Sequence, residues 1–437
     1  MRRERVVEAL QDRQDLKGWS AARTVRRGVQ SYAVPNGLEA VRQVEEERYQ
    51  VSVLRETRGA DGEAACGSAN ATFLPGDDVG AAIDSAAERA GFLANPPHGI
   101  PDPEDIPDVP LADTRIQDEP LAVLGELYER LQSTVGQHSD VRLTSAEFFA
   151  NESTTTLANS RGLDAEQTGT SLSVDWVLSA GEGEEQTESF FSTSRRRLED
   201  LDVEGTVERH SQYVTDLRSA GAPEPYRGPV VLRGITLAEF MNAPVLKVLS
   251  SAELKYKRMS PWDIGRPVLT GEVKGDPLTI WANRRLPYGV HTSRFDQEGL
   301  AARRLLLIEG GILKALSATQ QYAEYLSIPP TGGFGNIEVA PGSAAESELL
   351  AQPHVEVVAF SWFNPNPVTG EFSAEIRQGY LATSDGRSPF RGGLLVGNML
   401  KALTDVQFSS ETGFYGDYQG PTTARFAEIA VTAGTSR

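Results

Sequence analysis

The chain has 437 residues, of which 42 are Lys or Arg and 61 are Asp or Glu, so its formal net charge is −19. This acidic balance disfavours nucleic acid and anionic membrane surfaces as partners, because both attract concentrated positive charge. A single cysteine, Cys66, excludes an intrachain disulfide and a cysteine-based zinc cluster. We expect no membrane span, since no apolar run approaches about eighteen residues. The N-terminus lacks a secretory h-region, so we expect a cytoplasmic protein.

Proline-rich stretches divide the sequence. Residues 94–114 combine six prolines with five acidic residues, the composition of an extended, solvated linker. A shorter break lies at residues 219–229. The sequence therefore predicts an α+β fold with mixed α/β N-terminal segments followed by a β-rich C-terminal domain. The predicted parts are an N-terminal α/β domain (1–95), a Pro/acidic linker (96–114), a central α/β segment (115–222) and the C-terminal domain (226–437).

Before the first break, the pattern predicts strands followed by a helix. Residues 48–56 alternate apolar and polar side chains, which favours a strand, and residues 67–73 form a second short candidate strand. Asp77 and Asp78 then offer an N-cap. The residues at helical spacing after this cap are Val79, Ile83, Ala86, Ala87 and Ala90.

The central segment opens with an amphipathic helix and continues with strands. Residues 141–149, 153–159 and 172–178 have the composition or alternation of strands, and a second long helix is predicted between Leu198 and Leu217. The apolar face of the first helix consists of Leu121, Leu124, Leu127, Tyr128 and Leu131.

The C-terminal part is predicted to be rich in strands. The Gly310-Gly311 pair between two apolar runs indicates a tight hairpin, because such turns need positive φ. Residues 355–363 and 371–383 are further candidate strands, and the second is followed by a Ser-Asp-Gly turn. A short helix is expected at residues 396–403.

Motifs for catalysis are mostly absent from the sequence. There is no phosphate-binding loop, no GxSxG nucleophile elbow and no HExxH zinc helix. Cys66 has no local base to activate its thiol, so a packing role is preferred. A metal site drawn from His291, His354 and a carboxylate stays open as an alternative. No two of the five histidines lie within a helical turn or two of each other: His98, His138, His210, His291 and His354.

The C-terminal half resembles the TldD/PmbA family. The segment FDQEG at residues 295–299 and the run AARRLLLIEGGILK at 301–314 are similar to a DDEG…VLIENGVLKG block of that family. Further similar blocks follow in the family's order, at residues 330–336, 370–381, 391–403, 420–422 and 429–434. The resemblance implies two mixed α/β segments followed by a β-rich domain.

The resemblance also implies a function. Members of the family usually work as a pair of related subunits, in which the TldD-type chain carries HExxxH and a distant cysteine as a zinc site and cleaves peptides. The PmbA-type chain, also called TldE, lacks those ligands. Alignment places Asn242 and Lys247 where the two histidines are needed, Ala243 where the catalytic glutamate belongs, and Tyr415 near the cysteine position.

Pro244 would disturb a helix interior, although it could also sit in a first turn. The resemblance thus predicts a TldE-type subunit with no catalytic residue and no cofactor of its own, with zinc in a TldD-type partner. The two chains would form a heterodimer or a larger complex that encloses an unfolded or modified peptide. We expect no nucleic-acid or membrane partner, and a homodimer when the chain is alone.

The predicted contacts with substrate or partner are Lys247, Asn336, Gly392, Gly393 and Asn398. Two alternatives remain open. The chain could be a stand-alone biosynthetic or hydrolytic enzyme whose active site has moved elsewhere, or it could be a homodimeric peptide-binding protein.

Overall fold

In a computed structural model, residues 3–35, 37–269 and 271–433 are described. The first half of the chain builds one six-stranded antiparallel sheet in the order β3-β2-β1-β4-β5-β6. Its strands are β1 (Gly18–Val34), β2 (Gly37–Arg58), β3 (Ala64–Phe73), β4 (Val141–Asn159), β5 (Asp164–Ala180) and β6 (Thr187–Arg195).

Helices cover one face of this sheet. Alternate strand residues such as Trp19, Val51 and Trp176 point toward the helices and are buried, as the period of two in a strand requires. The helices of this half are α1 (Arg3–Gln11), α2 (Val79–Gly91), α3 (Thr114–Asp118), α4 (Pro120–Val135) and α5 (Val203–Asp216).

The central pairing joins the two sides of the proline-rich stretch. Strand β1 pairs with β2 along its whole length and with β4 from Ser20↔Asn159 to Ala33↔Ala146. The strands before and after residues 94–114 therefore belong to one sheet. The stretch itself is held by side chains on both sides, because Lys17 Nζ donates to the His98 carbonyl (2.9 Å) and Asn159 donates to the Pro101 carbonyl (3.1 Å).

The C-terminal half places two further sheets around one core. Their orders are β12-β7-β19-β15-β13-β14, with β16 beside β19, and β10-β9-β8-β11-β18-β17. The strands are β7 (Tyr226–Arg233), β8 (Ile280–Asn283), β9 (Arg304–Glu309), β10 (Ile312–Leu313), β11 (Asn336–Val339), β12 (His354–Trp362), β13 (Glu371–Thr383), β14 (Gly386–Phe390), β15 (Leu394–Asn398), β16 (Val406–Phe408), β17 (Thr412–Tyr415), β18 (Tyr418–Pro421) and β19 (Thr423–Thr432).

Two of the C-terminal helices lie inside this core. Buried residues of α6 and α7, such as Phe240 and Leu246, pack against side chains from both sheets. The helices are α6 (Gly234–Asn242), α7 (Pro244–Leu249), α8 (Ala252–Tyr256), α9 (Gln320–Leu326), α10 (Glu346–Leu350) and α11 (Met399–Ala402). No helix in the described ranges combines the length and apolar character that crossing a bilayer requires.

Several local predictions are confirmed, and the α+β fold class is among them. Asp78 caps α2, since its side chain accepts the Ala81 N–H. The Gly310-Gly311 turn has φ of 56° and 78° and joins β9 to β10. The helix expected at residues 396–403 is wrong at its start, because β15 runs to Asn398. The helix begins at Met399, where the Asn398 side chain caps it by accepting the Lys401 N–H.

The partly buried ring of His210 predicts a specific dependence of stability on pH. His210 lies beside Phe191 and Tyr213, and its Nδ1 is 2.8 Å from Ser189 Oγ. Burial lowers the pKa of His210 from 6.5 to about 4. Between these two values the unfolded chain binds the proton and the folded chain does not, so folding is weakened as the pH falls. The loss approaches about 3 kcal/mol at the acid end of this window.

The measurement is denaturant unfolding of the wild type and His210→Gln between pH 7 and pH 4.5. The glutamine removes the titration and keeps a polar partner for Ser189. We expect the difference in unfolding free energy between the two proteins to shift in favour of the variant at low pH. Parallel stability profiles would contradict the assignment of a neutral, partly buried imidazole at His210.

Candidate functional site: a polar cleft between the two halves

A cleft of about 730 Å³ lies between the six-stranded sheet and the C-terminal half. One wall is the sheet face opposite to the helices, where many side chains are small and polar. Thr24 and Thr155 are neighbours across strands there, with their hydroxyls 3.3 Å apart. This wall also contains Ser20, Gln50, Ser52, Ser68, Asn70 and Gln167, with the exposed Arg48 and the apolar Ala22 and Leu157 beside them. A wall rich in hydroxyls and amides suits a ligand with polar groups.

The opposite wall comes from loops of the C-terminal half. Residues 293 and 295–298 line it, together with Thr319, Gln321, Gly333 and Gly335. Asp296 fixes this wall, because its Oδ1 accepts the N–H groups of Glu298 and Leu300 (both 3.0 Å) and its Oδ2 accepts the Gly333 N–H (3.1 Å). Two of the family-like sequence blocks, at residues 295–299 and 330–336, therefore meet at the cleft.

Glu298 is a partly buried carboxyl group in this wall. Its Oε2 accepts the backbone N–H of Gln320 at 2.8 Å. Burial raises the pKa of Glu298 to about 7, so the group changes its protonation state near neutral pH. A titratable carboxyl in a cleft is a candidate functional group.

Three side chains converge on Asp417, in the turn between β17 and β18. Asn242 Nδ2 donates to Asp417 Oδ1 at 2.6 Å, and Lys247 Nζ donates to Oδ2 at 3.2 Å. His291 Nε2 is 3.3 Å from the same Oδ2. The His291 ring also lines the cleft and is 57% exposed, so this cluster borders the cleft.

The charges in this cluster favour an ionised Asp417. Burial opposes ionisation, but the hydrogen bond from His291 and the charge of Lys247 outweigh it, so the pKa of Asp417 lies below its usual value. Asn242 Oδ1 is buried and accepts no hydrogen bond. Lys247 Nζ also lies 5.6 Å from the centre of the Phe334 ring.

The backbone around Asn242 is not one continuous helix. Helix α6 ends at Asn242, Ala243 is extended with ψ of 146°, and Pro244 begins α7. The first-turn position for Pro244 is thus confirmed, since proline there needs no N–H partner. The break turns Asn242 and Lys247 toward the same carboxylate from two helices.

The loop that carries His291 is held from two sides. Asn336 is fully buried, and its Oδ1 accepts the His291 N–H at 2.9 Å. On the other side, the Arg196 guanidinium donates to the carbonyls of Gly289 (2.8 Å), Val290 (3.2 Å) and Thr292 (2.7 Å). Its remaining bonds go to Leu111 and Thr170 in the first half of the chain. Arg196 therefore joins the two halves next to the cleft.

The other residues singled out in the sequence lie elsewhere. Tyr415 lies against Gly234 at the start of α6, where a Cβ on the glycine would be 3.4 Å from the Tyr415 ring. Gly392 and Gly393 form a positive-φ turn before β15, and Asn398 caps α11. None of these four is a lining residue of the cleft, and the contact roles predicted for the last three stay predictions.

The dispersed metal site is not assembled from the residues proposed for it. His354 is buried in β12 with its Nδ1 2.7 Å from the Gln352 carbonyl, and Cys66 is buried in β3. Within residues 3–35, 37–269 and 271–433, no three His, Cys, Asp or Glu side chains stand close enough together to share a metal ion.

Sequence reasoning missed Asp417 and Arg196. Asp417 follows Gly416 in an ordinary turn, and Arg196 stands in a run of three arginines, so neither has a local signal. Glu298 lies inside the family-like block at residues 295–299. Its pairing with Asp296 in the sequence is only weak evidence for acid–base chemistry, because paired carboxylates are common on solvated faces.

Two family models match the chain. The C-terminal domain of PmbA/TldA metallopeptidases matches residues 225–433, and the central domain of the same proteins matches residues 106–216.

Among curated relatives, an uncharacterized protein of Methanocaldococcus jannaschii is 23% identical over 269 residues, covering 57% of this chain and 60% of that protein. A zinc metalloprotease TldD homolog of Saccharolobus solfataricus is 28% identical over 137 residues, covering 27% of this chain and 30% of that protein. The matches thus span 60% or less of these relatives' own length.

Solved structures share the fold over nearly the whole chain. TldE from Thermococcus kodakarensis has a TM-score of 0.82 at 17% identity, over 98% of this chain and 99% of that one. A protein described as a modulator of DNA gyrase from Thermotoga maritima has a TM-score of 0.82 at 16% identity, over 98% and 99% of the two chains. A protein of the same description from Bacteroides thetaiotaomicron has a TM-score of 0.80 at 17% identity, over 99% and 98%. At these identities the likeness shows the fold alone.

Proposed function

The chain belongs to the PmbA/TldD metallopeptidase family, and we propose that it is a TldE-type subunit that holds no zinc and acts beside a zinc-bearing TldD-type chain. The observation that carries the proposal is the Asp417 cluster. The side chains at the two positions aligned with zinc-binding histidines, Asn242 and Lys247, both donate hydrogen bonds to one carboxylate. The two aligned positions thus form an internal ion pair, Lys247–Asp417, and a hydrogen bond from Asn242 to the same carboxylate.

The donor chemistry of these positions does not fit zinc. A protein zinc site needs at least three ligands from deprotonated thiols, neutral imidazoles or carboxylates. The aligned side chains offer an amide, a methyl group and an ammonium, and the ammonium of Lys247 repels a cation. His291 and Asp417 are of suitable type, but they contact each other and lack a third such ligand among the described residues.

In this proposal the cleft receives part of the peptide substrate. Its walls carry hydroxyl and amide groups, which can hydrogen bond to an extended backbone. A neighbouring TldD-type subunit would supply the zinc chemistry, while this chain binds and encloses the peptide. The cytoplasm is the proposed compartment.

The test is assembly and activity with the HExxxH-bearing homologue from the same source. We expect the mixture to sediment as a complex and to cleave unfolded peptides, and a chelator to abolish the cleavage. The control is the same homologue with its HExxxH histidines replaced by alanine, which should still assemble but not cleave. Failure of the two chains to associate, with full cleavage by the homologue alone, would contradict the proposal.

One observation favours a second candidate, a metal-free enzyme with a relocated site. His291 is exposed to the cleft, and its Nε2 faces the partly buried carboxylate of Asp417, which is the arrangement of an oriented general acid or base. Hydrolysis by the chain alone that survives a chelator and is lost in His291→Ala would support this candidate. The absence of such activity would leave His291 as a binding residue.

A further inference from the structure

Glu298 has no cationic partner in the part of the chain that the structure describes. Its Oε2 accepts the Gln320 N–H, and no Lys, Arg or His side chain of the described ranges forms an ion pair with it. By contrast, the carboxylate of the neighbouring Asp296 already accepts hydrogen bonds from three backbone N–H groups and from Arg284 at 3.4 Å. Glu298 is therefore the acidic group of this wall that is left to interact with a ligand.

The surroundings of Glu298 add negative rather than positive charge. Asp296 on the same loop and Glu324 on α9 both disfavour a further negative charge at Glu298. Glu324 is itself occupied, since it accepts the Gly99 N–H and the Gln320 side-chain amide. Three neutral side chains line the same wall: Gln297, Thr319 and Gln321. The guanidinium of Arg284 also lines it, but this group is held by Asp296 and by the Leu300 carbonyl.

We propose that the Glu298 end of the cleft binds a cationic nitrogen group of a peptide, either its N-terminal ammonium or a Lys or Arg side chain. This inference rests on the proposed function, because it takes the cleft as a peptide site. A carboxylate that is partly removed from water gains most from a partner that neutralises it and donates hydrogen bonds. The positive charge of the ligand replaces the stabilisation by water that the carboxylate loses on burial.

The rest of the cleft favours placing a cation at Glu298 rather than elsewhere. The sheet side offers hydroxyls and amides, which accept many peptide sequences, and the exposed guanidinium of Arg48, which repels a cation. A charge-assisted hydrogen bond to Glu298 contributes about 1.5–3 kcal/mol, or roughly tenfold to a hundredfold in affinity. Peptides that carry a positive charge at this point are preferred over neutral peptides of the same shape.

Binding and protonation are then linked. Because burial raises the pKa of Glu298 to about 7, a large fraction of the free protein carries the proton at pH 6.5. A bound cation favours the carboxylate, and the proton leaves to solvent. Cation binding at this pH therefore releases protons, whereas binding of a neutral peptide does not.

The experiment measures binding of three fluorescent peptides of one polar sequence to the full chain. The first has a free N-terminus and no basic residue, the second is N-acetylated with one lysine, and the third is N-acetylated with norleucine in place of lysine. We expect the first or the second to bind at least about tenfold more tightly than the third. Whichever of them gains the affinity identifies the source of the cation.

Two variants that each remove one negative charge distinguish a specific contact with Glu298 from an effect of the protein's net charge. Glu298→Gln keeps an oxygen to accept the Gln320 N–H and is expected to remove the preference for the charged peptide. Glu309→Gln, at an exposed hairpin position paired with Lys314, is expected to keep it. Calorimetry in two buffers at pH 6.5 should show proton release for wild type and Glu309→Gln, and none for Glu298→Gln.

Equal affinity of the wild type for all three peptides would overturn the inference, as would a preference that persists in Glu298→Gln. Binding of none of the peptides would overturn it too, because the cleft would then take no peptide. None of these results decides whether the chain is a zinc-free subunit, since that depends on assembly and cleavage with the HExxxH-bearing homologue.

Discussion

Replacing Arg196 by methionine is expected to lower the free energy of unfolding by about 3–5 kcal/mol. The guanidinium makes five hydrogen bonds to carbonyl oxygens, two in the first half of the chain and three in the loop that carries His291. Burial lowers its pKa to about 10, which still leaves the group charged at neutral pH. Methionine fills part of the volume but donates no hydrogen bond, so the five acceptors lose their donor.

Equilibrium unfolding in urea measures the effect, with Arg27→Met as the matched control. Arg27 is 67% exposed and makes one pair with Glu45, so its replacement should change stability by less than about 1 kcal/mol. A loss in Arg196→Met no larger than in the control would mean that water replaces the guanidinium, and that Arg196 does not hold the two halves together.

Glu356→Ala is the second substitution with a large expected cost, about 3–4 kcal/mol. The Glu356 side chain is only 4% exposed and bridges Arg233 (3.4 Å) and Arg387 (2.9 Å). Removing it takes the shared carboxylate from both guanidinium groups. Arg387 then has no acidic partner among the described residues, whereas Arg233 keeps its ion pair with Glu346. Arg233 stands directly before α6, so the start of the helix that ends at Asn242 is affected as well.

The matched control for this change is Glu428→Ala, which breaks one exposed pair with Arg227 and should cost less than about 1 kcal/mol. Thermal unfolding of both variants gives the comparison. If the double variant Glu356→Met, Arg387→Met is as unstable as Glu356→Ala, the cost does not come from unpaired charge and the explanation is wrong.

Strand β1 was not predicted, and its position explains why. The residues of β2 that alternate most clearly, Tyr49, Val51 and Val53, have one face packed under α1 and α2. In β1 the cleft-facing residues are Ser20, Ala22 and Thr24, and much of the outer part is partly exposed, so the apolar alternation is weak. The β1–β4 pairing also joins distant parts of the sequence, for which no local pattern exists.

The candidate site was predicted in part. The alignment predicts that Asn242 and Lys247 stand where a TldD-type chain has zinc ligands, but it treats each position separately. Their common partner, Asp417, lies 175 and 170 residues away, and only the fold brings them together. The predicted contact of Asn336 with substrate or partner stays a prediction; in the structure its side chain hydrogen bonds to the loop that presents His291.

The misplaced start of α11 is explained by strand pairing. The sequence at residues 396–398 could continue into a helix, but all three residues pair with β13, and Val396 also pairs with β19. This pairing with distant strands outweighs the weak local preference for a helix.

The central claim is that the positions aligned with the zinc ligands hold an internal ion pair instead of a metal, and the zinc content of the purified chain tests it most directly. After incubation with zinc and desalting, metal analysis should find zinc only at background in the wild type and in Asp417→Asn. The HExxxH-bearing homologue should retain stoichiometric zinc under the same treatment. Stoichiometric zinc in this chain, lost on replacement of His291 or Asp417, would contradict the account.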